Sequence, residues 1–252
     1  MRRALALNMK GAILPSPSQS FTRNCILSKM TADDYGLLQP HLESVAMEKD
    51  MVLEESDQLI GHVFFPNSGI GSIMAFTPHG EGVEAGIFGR EGMSGTALTM
   101  GAERTPLKTV MQVGGEGLRI EAGAFRIAIE QSRPLRDLLL RYCQSLAIQT
   151  AFTALTNVTH PVEVRLARWL LMSHDRADGD KLPLTHDYMA VMLAVRRPSV
   201  TTALHVLEGN RLIRGTRGVV TVRDRAAMEE FADGSYGKPE AEYARLIGPF
   251  FA

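Results

Sequence analysis

LTHDYMAVMLAVRRPSVTTALHVLEGNRLIRGTRGVVTVRD occupies residues 184–224. Thr185 is placed to cap a helix running to about Leu193, its hydroxyl accepting one of the backbone N–H groups that a helix start leaves free. Ala194-Val195-Arg196 is then a tight turn. Pro198 opens a second helix that reaches Glu208 and stops at Gly209. Met189, Leu193, Val195, Val200, Ala203, Leu204 and Leu207 form one apolar set across both helices. Helices joined by so short a turn need a small residue at their crossing and an apolar one inside the turn, and Ala190 and Val195 supply them. This is helix-turn-helix spacing.

The outer face of the second helix has a different chemistry. Arg197, Thr201 and His205 recur at four-residue steps, with Pro198 and Thr202 beside them. Short polar or basic side chains turned outward suit a helix that enters the major groove of duplex DNA. Arg197 is the candidate for a bidentate contact to guanine, worth ~1–3 kcal/mol of discrimination. Arg196, Ser199 and the helix N-terminus suit phosphate, as does His186 in the first turn of the preceding helix. After LIR, Gly215–Gly218 reads as a turn with Arg217 at its tip, and VVTV as a strand, so GTRGVVTVRD is a hairpin wing. Arg214, Thr216 and Arg217 are its candidates for the DNA backbone.

Charge is distributed accordingly. Leu184–Arg225 holds seven Arg against three acids, a net +4, while the remaining 20 bases and 25 acids leave −5. A basic segment on an acidic chain points to a polyanion partner. The two cysteines, Cys25 and Cys143, form no CxxC pair, which excludes a disulfide scaffold and a four-thiolate cluster within one chain. No apolar run approaches the ~18 residues of a membrane span. Asn8 and Lys10 interrupt the apolar start, so residues 1–20 read as a disordered cytoplasmic tail with ILPSPSQS as linker, not a signal peptide.

Met51–Ile120 is β-like: HVFFP, GSIMAF, VEAGIF, LKTVMQV and GLRI are separated by the turn signals PNSG, TPHG and VGGEG. Short strands at this spacing predict a barrel or sandwich over residues 21–133. TADDYGLLQPHL before them predicts a short helix capped by Thr31. Residues 134–158 hold no glycine and no proline beyond Pro134, and predict one long helix. Leu135, Leu139, Tyr142, Leu146, Gln149 and Thr153 lie along one of its faces and are the candidates for packing against a second copy; the alternative is a core helix on the β-domain. Its second half is small and polar and could accommodate two packings. His160-Pro161 ends it, and VEVRLARWLLM opens the DNA-binding unit, residues 159–235. The tail, 236–252, contains one short amphipathic helix, EAEYARLIGPFF.

The order of β-domain, long helix and winged helix-turn-helix resembles the Crp/Fnr family of bacterial transcription regulators over about Phe21–Tyr236. VFFPNSGIGSIM resembles the family's early strand-turn-strand. GREGMSG…GAERT resembles the segment that holds a cyclic-nucleotide phosphate in some members. The resemblance implies an α+β chain: a cyclic-nucleotide-binding-like β-roll (a double-stranded β-helix), a dimerisation helix and a winged helix-turn-helix. It implies a cytoplasmic homodimer on a palindromic site, with RNA polymerase as a further partner if it activates. It offers Gly92, Met93, Ser94, Arg104, Thr105 and Thr150 as effector contacts. Met93 stands where cyclic-AMP binders carry an acid, and Ala151 where they carry a second hydroxyl, so a cyclic nucleotide is disfavoured. The lone Cys25 excludes the family's cysteine-cluster chemistry, and His62 and His79 read as surface rather than haem ligands.

Two other readings compete. A cupin-like metal enzyme needs a His-x-His pair, which the chain lacks, as it lacks a nucleophile elbow and a P-loop. A sensing module whose helix-turn-helix serves protein contacts conflicts with the outward Arg197 and Arg217.

Overall fold

The computed structural model describes residues 18–250. Most of the tail expected over residues 1–20 lies outside them. Gln19 is held in a short turn by its Nε2, which donates to the Leu27 and Met30 carbonyls at 3.0 and 2.9 Å. Helix α1 (Cys25–Ser28) and α2 (Ala32–Leu38) follow, and Thr31 caps α2 by accepting from Asp34 N at 3.1 Å, as its position predicts.

The β-domain comprises β1 (Glu43–Met47), β2 (Val52–Glu54), β3 (His62–Pro66), β4 (Ile70–Phe76), β5 (Gly82–Phe88), a short α3 (Thr96–Thr99), β6 (Lys108–Val113) and β7 (Gly115–Glu121). The strands form two antiparallel sheets, β1-β7-β3 and β2-β6-β4-β5. Met47 and Phe64 of the first meet Leu53, Phe88 and Met111 of the second, which makes the interior of the roll. Val63 and Phe65, alternating with Phe64, point to the other side and pack among the helices. Burial on both faces is why HVFFP reads as a continuous apolar run rather than an alternation.

Helix α4 (Ala122–Gln131) begins directly after β7 and packs Phe125, Ala128 and Ile129 against the same core. The sequence assigns residues 21–133 to the β-domain without this helix, because the glycine nearest the change, Gly123, lies inside the first turn of α4 rather than between strand and helix. Helix α5 (Arg133–Thr159) is the expected long helix; Ser132 caps it, accepting from Leu135 N at 3.2 Å, and it ends at His160.

The last unit is α6 (Val162–His174), β8 (Lys181–Leu182), α7 (His186–Met192), α8 (Arg197–Gly209), β9 (Ile213–Thr216), β10 (Val219–Val222) and α9 (Arg225–Phe231). Val164, Ala167, Leu170 and Leu171 of α6 are all buried, as their spacing predicts. Between α6 and α7, β8 adds a third strand to the wing in the order β8-β10-β9. The tail forms α10 (Lys238–Leu246), which lies along α5 and buries Tyr243.

Candidate nucleic-acid interface

The turn between α7 and α8 is built by backbone hydrogen bonds around one strained residue. Ala194 takes φ = 49°, in the left-handed region. Val195 N donates to Ala190 O at 3.0 Å and Ala194 N to Val191 O at 3.1 Å, the paired bonds that close a helix C-terminus. Thr185 caps α7 by accepting from Tyr188 N at 3.2 Å, and Pro198 sits in the first turn of α8. Val200, Ala203, Leu204 and Leu207 are buried against α6 and α7, and Val195 is half-buried at the turn. The end of α8 differs from expectation. Gly209 is its last helical residue, and the left-handed position falls on Arg211 (φ 60°). Arg211 N and Leu212 N then close the helix onto Glu208 O and Leu207 O at 2.9 and 3.0 Å.

The outer side chains of α8 and the wing frame one shallow groove. His186, Arg197, His205, Thr216 and Arg217 line it together with Asp187 and Glu208. Arg196, Pro198, Thr202 and Arg214 are exposed beside it, and Ser199 is half-buried. Thr201 is less free than expected: its hydroxyl donates to Arg197 O at 3.3 Å and lies 3.0 Å from His186 Nδ1. Two residues that sequence reasoning passed over organise the groove. Asp187 pairs with Arg197 at 3.2 Å, and Glu208 accepts from Gly215 N at 2.6 Å, tying the wing to α8. Neither carries a pattern that marks it in one dimension.

Helix α5 requires a correction. Leu135, Leu139 and Tyr142, expected to meet a partner helix, are buried in this chain's own β-domain. Gln149 is buried as well: its Oε1 accepts from Ile87 N at 2.8 Å and its Nε2 donates to Ile87 O at 3.1 Å. It thereby satisfies a peptide of β5, the edge strand of its sheet. Leu146 is half-buried against the cavity described below, and Thr153 accepts from Arg168 Nη1 at 3.1 Å. The alternative of a core helix therefore holds for this face. The opposite face carries Leu140, Gln144, Ala147, Ala151, Leu155 and Val158 at steps of three and four, all exposed. In the same half of the helix, Thr150, Thr153, Thr156 and Thr159 each donate to the carbonyl four residues back, at 2.8–3.1 Å. Such bonds compete with the helix ladder and soften it.

A cavity of about 230 Å³ lies between α5, α3 and the β2-β6-β4-β5 sheet. Met93, Ser94, Thr105 and Thr150 line it, as four of the six expected effector contacts. The other two do not. A Cβ on Gly92 would stand 2.3 Å from Tyr142 Oη, so Gly92 serves close packing on α5. Arg104 is exposed, its Nη1 donating to Asp57 O at 3.1 Å. Glu91, the acid nearest the expected site, is buried elsewhere: it accepts from Gly89 N and pairs with the fully buried Arg176 at 2.8 Å. Tyr243 of α10 donates to Glu91 O at 2.6 Å, and Phe250 lies over the Arg176 guanidinium. The tail thus seals an ion pair that joins the β-domain to the DNA-binding unit.

A second polar contact crosses the same boundary. Glu84 of β5 accepts from Ser72 Oγ at 2.7 Å and from Trp169 Nε1 of α6 at 2.6 Å. Complete burial pushes its carboxyl up to about 7, against these two hydrogen bonds and the nearby Arg176 and Arg168, which lower it. Among the described residues, no group of three or more His, Cys, Asp or Glu is placed to hold a metal ion, and no helix is long and apolar enough to cross a membrane.

Residues 164–231 match the family model described as a Crp-like helix-turn-helix domain. No curated protein sequence matches the chain. Solved structures share its fold. A putative Crp/Fnr-family transcriptional regulator from Eubacterium rectale superposes with a TM-score of 0.64 at 15% identity, covering 83% of this chain and 98% of its own. FixK2 from Bradyrhizobium japonicum does so with 0.64 at 13% identity, covering 75% and 96%. A CRP-family regulator from Thermus thermophilus gives 0.61 at 17% identity, covering 75% and 97%. Residues 164–231 are thus a Crp-like helix-turn-helix domain, set behind a β-roll and a long helix in the order found in solved regulators of the Crp/Fnr family.

Proposed function

We propose that the protein acts as a homodimer whose two α8 helices read a palindromic DNA site, with Arg197 on a base edge and Arg217 on the backbone of each half-site. The groove between α8 and the wing carries this reading, because it gathers Arg197, His186, His205 and Arg217 on one exposed face. Arg196, Ser199 and the α8 N-terminus would hold phosphates, with Arg214 and Thr216 beside them. The α5 stripe from Leu140 to Val158 is the dimer surface in this reading. Its alanines let two helices approach closely, and its spacing is that of a coiled-coil seam. An effector in the β-domain cavity would act on α5 through Leu146, Ala147 and Thr150. The protein would work in the cytoplasm, and would contact RNA polymerase if it activates.

A selection from random duplexes with the full chain, followed by sedimentation of the protein alone, tests the reading. The expected motif is two inverted half-sites about 10 base pairs, ~34 Å, apart. A motif without dyad symmetry, or a monomer at micromolar concentration, would overturn the dimeric reading. Absence of any motif would overturn the placement of the DNA-reading residues.

A further inference from the structure

The β-domain cavity contains a carboxylate where a phosphate-binding site needs donors. Its walls are mainly apolar, with Ile73, Met93, Met100, Leu107 and Leu146 among them, and Glu54 is the only charged residue lining it. Glu54 is 7% exposed and accepts from Gly95 N at 2.5 Å. Burial pushes its carboxyl up, and the Gly95 N–H and the neighbouring Ser94 and Thr109 hydroxyls act against that. The Ser94 oxygen accepts from Phe64 N at 3.0 Å. Gly95 is required for the arrangement. It takes φ = 75°, and a Cβ there would stand 2.5 Å from Val63 Cγ2, so glycine alone lets its N–H aim at the carboxylate.

The Gly95 N–H at this end of the cavity is therefore engaged by the chain's own carboxylate. A phosphate entering the cavity would meet that carboxylate in place of a free N–H, and Arg104 faces outward. A carboxylate offers about four acceptor positions, more than the bond from Gly95 N occupies, which leaves room for a ligand donor. The cavity's size sets a second limit. An apolar cavity of ~150 Å³ holds a benzene ring, while drug-sized ligands occupy ~300–1,000 Å³. At about 230 Å³ this one fits a molecule between those classes.

We infer that the cavity takes a small, uncharged, mainly apolar molecule that donates one hydrogen bond to Glu54, and that it refuses phosphate esters. This rests on the reading of the cavity as the effector site. Leu146, Ala147 and Thr150 form its α5 wall, so the ligand braces the helix where the threonine bonds soften it. Ala147 belongs both to this wall and to the exposed stripe, which connects occupancy to the proposed dimer surface.

Calorimetric titration and thermal melts of the full chain without DNA test the inference. The probes are indole and p-cresol, which each carry one donor; 1-methylindole, which matches the bulk and lacks the donor; and cyclic AMP and inorganic phosphate. Indole or p-cresol should bind saturably and raise Tm, and 1-methylindole should bind about tenfold more weakly, as expected for losing one hydrogen bond to a charged group. Cyclic AMP and phosphate should give neither heat nor a shift. Leu107→Trp, at a half-buried lining position, should fill the cavity and abolish indole and p-cresol binding while the protein stays folded. Saturable binding of cyclic AMP, equal binding of 1-methylindole, unchanged binding by the Leu107→Trp variant, or no binding of either donor probe would each overturn it. Because no DNA is present, these outcomes are independent of the random-duplex selection that tests the DNA reading.

Discussion

Replacing Glu84 by glutamine should remove a pH dependence of stability that this one side chain creates. The carboxyl is fully buried between the β-domain and α6, and its pKa rises from 4.5 to about 7 on folding. Between those values the folded chain holds its proton more firmly than the unfolded chain, so stability falls as pH rises through the window. A shift of about 2.5 units at ~1.36 kcal/mol per unit sets the penalty at about 3 kcal/mol, complete above pH 7 and absent below pH 4.5. Glutamine is neutral throughout. It keeps one oxygen for Trp169 or Ser72 and loses the other bond, which costs about 1 kcal/mol at every pH and leaves the slope untouched. Urea unfolding of both proteins at half-unit steps from pH 4.5 to 8 reads the difference directly. Other titrating groups, Glu54 and Glu240 among them, are common to both proteins and cancel. The glutamine variant should gain about 3 kcal/mol on the wild type across the window; a difference that stays constant within about 0.5 kcal/mol refutes the reasoning.

Five further substitutions have outcomes that follow from the geometry. Arg176→Ala should cost about 3–5 kcal/mol, because it leaves Glu91 charged, buried and unpaired, and denaturant unfolding checks this. Arg197→Ala should weaken binding to the selected site by ~1–3 kcal/mol and relax preference at one base position, whereas Arg217→Ala should weaken all duplexes alike and lower the salt slope by about one per subunit, as read by titrations at several salt concentrations. Leu155→Glu, on the exposed face of α5, should shift sedimentation toward monomer without changing the melting profile of the monomer core. Ala194→Gly should raise stability by about 1 kcal/mol, since glycine carries no Cβ into the left-handed turn; an unchanged Tm would show that the turn is unstrained.

The helix-turn-helix was legible because its signals are local. A capping threonine, a proline in the first turn and apolar residues three and four apart determine two short helices whatever lies around them, and what remains outside is the reading face. The strands were legible through the same locality, in apolar runs cut by turn residues. Boundaries without clear punctuation were not: α4 follows β7 with no residue between them, β8 is two residues in a polar loop, and the stop expected at Gly209 falls two residues later, with the left-handed position on Arg211.

Long-range placement accounts for the rest. By itself, the sequence determined that residues 134–158 lie in one helix and that residues 184–223 form a helix pair with a wing, since each depends on neighbours within a few positions. It could not determine which face of the long helix turns inward, because Leu139 and Leu140 are equally apolar and only the docked β-domain distinguishes them. Nor could it show that Glu91 turns to Arg176, 85 residues away, while Glu54 takes the Gly95 N–H in the cavity. A buried charge is stable only where folding brings donors to it, and those donors come from chain segments that nothing in the one-dimensional order connects.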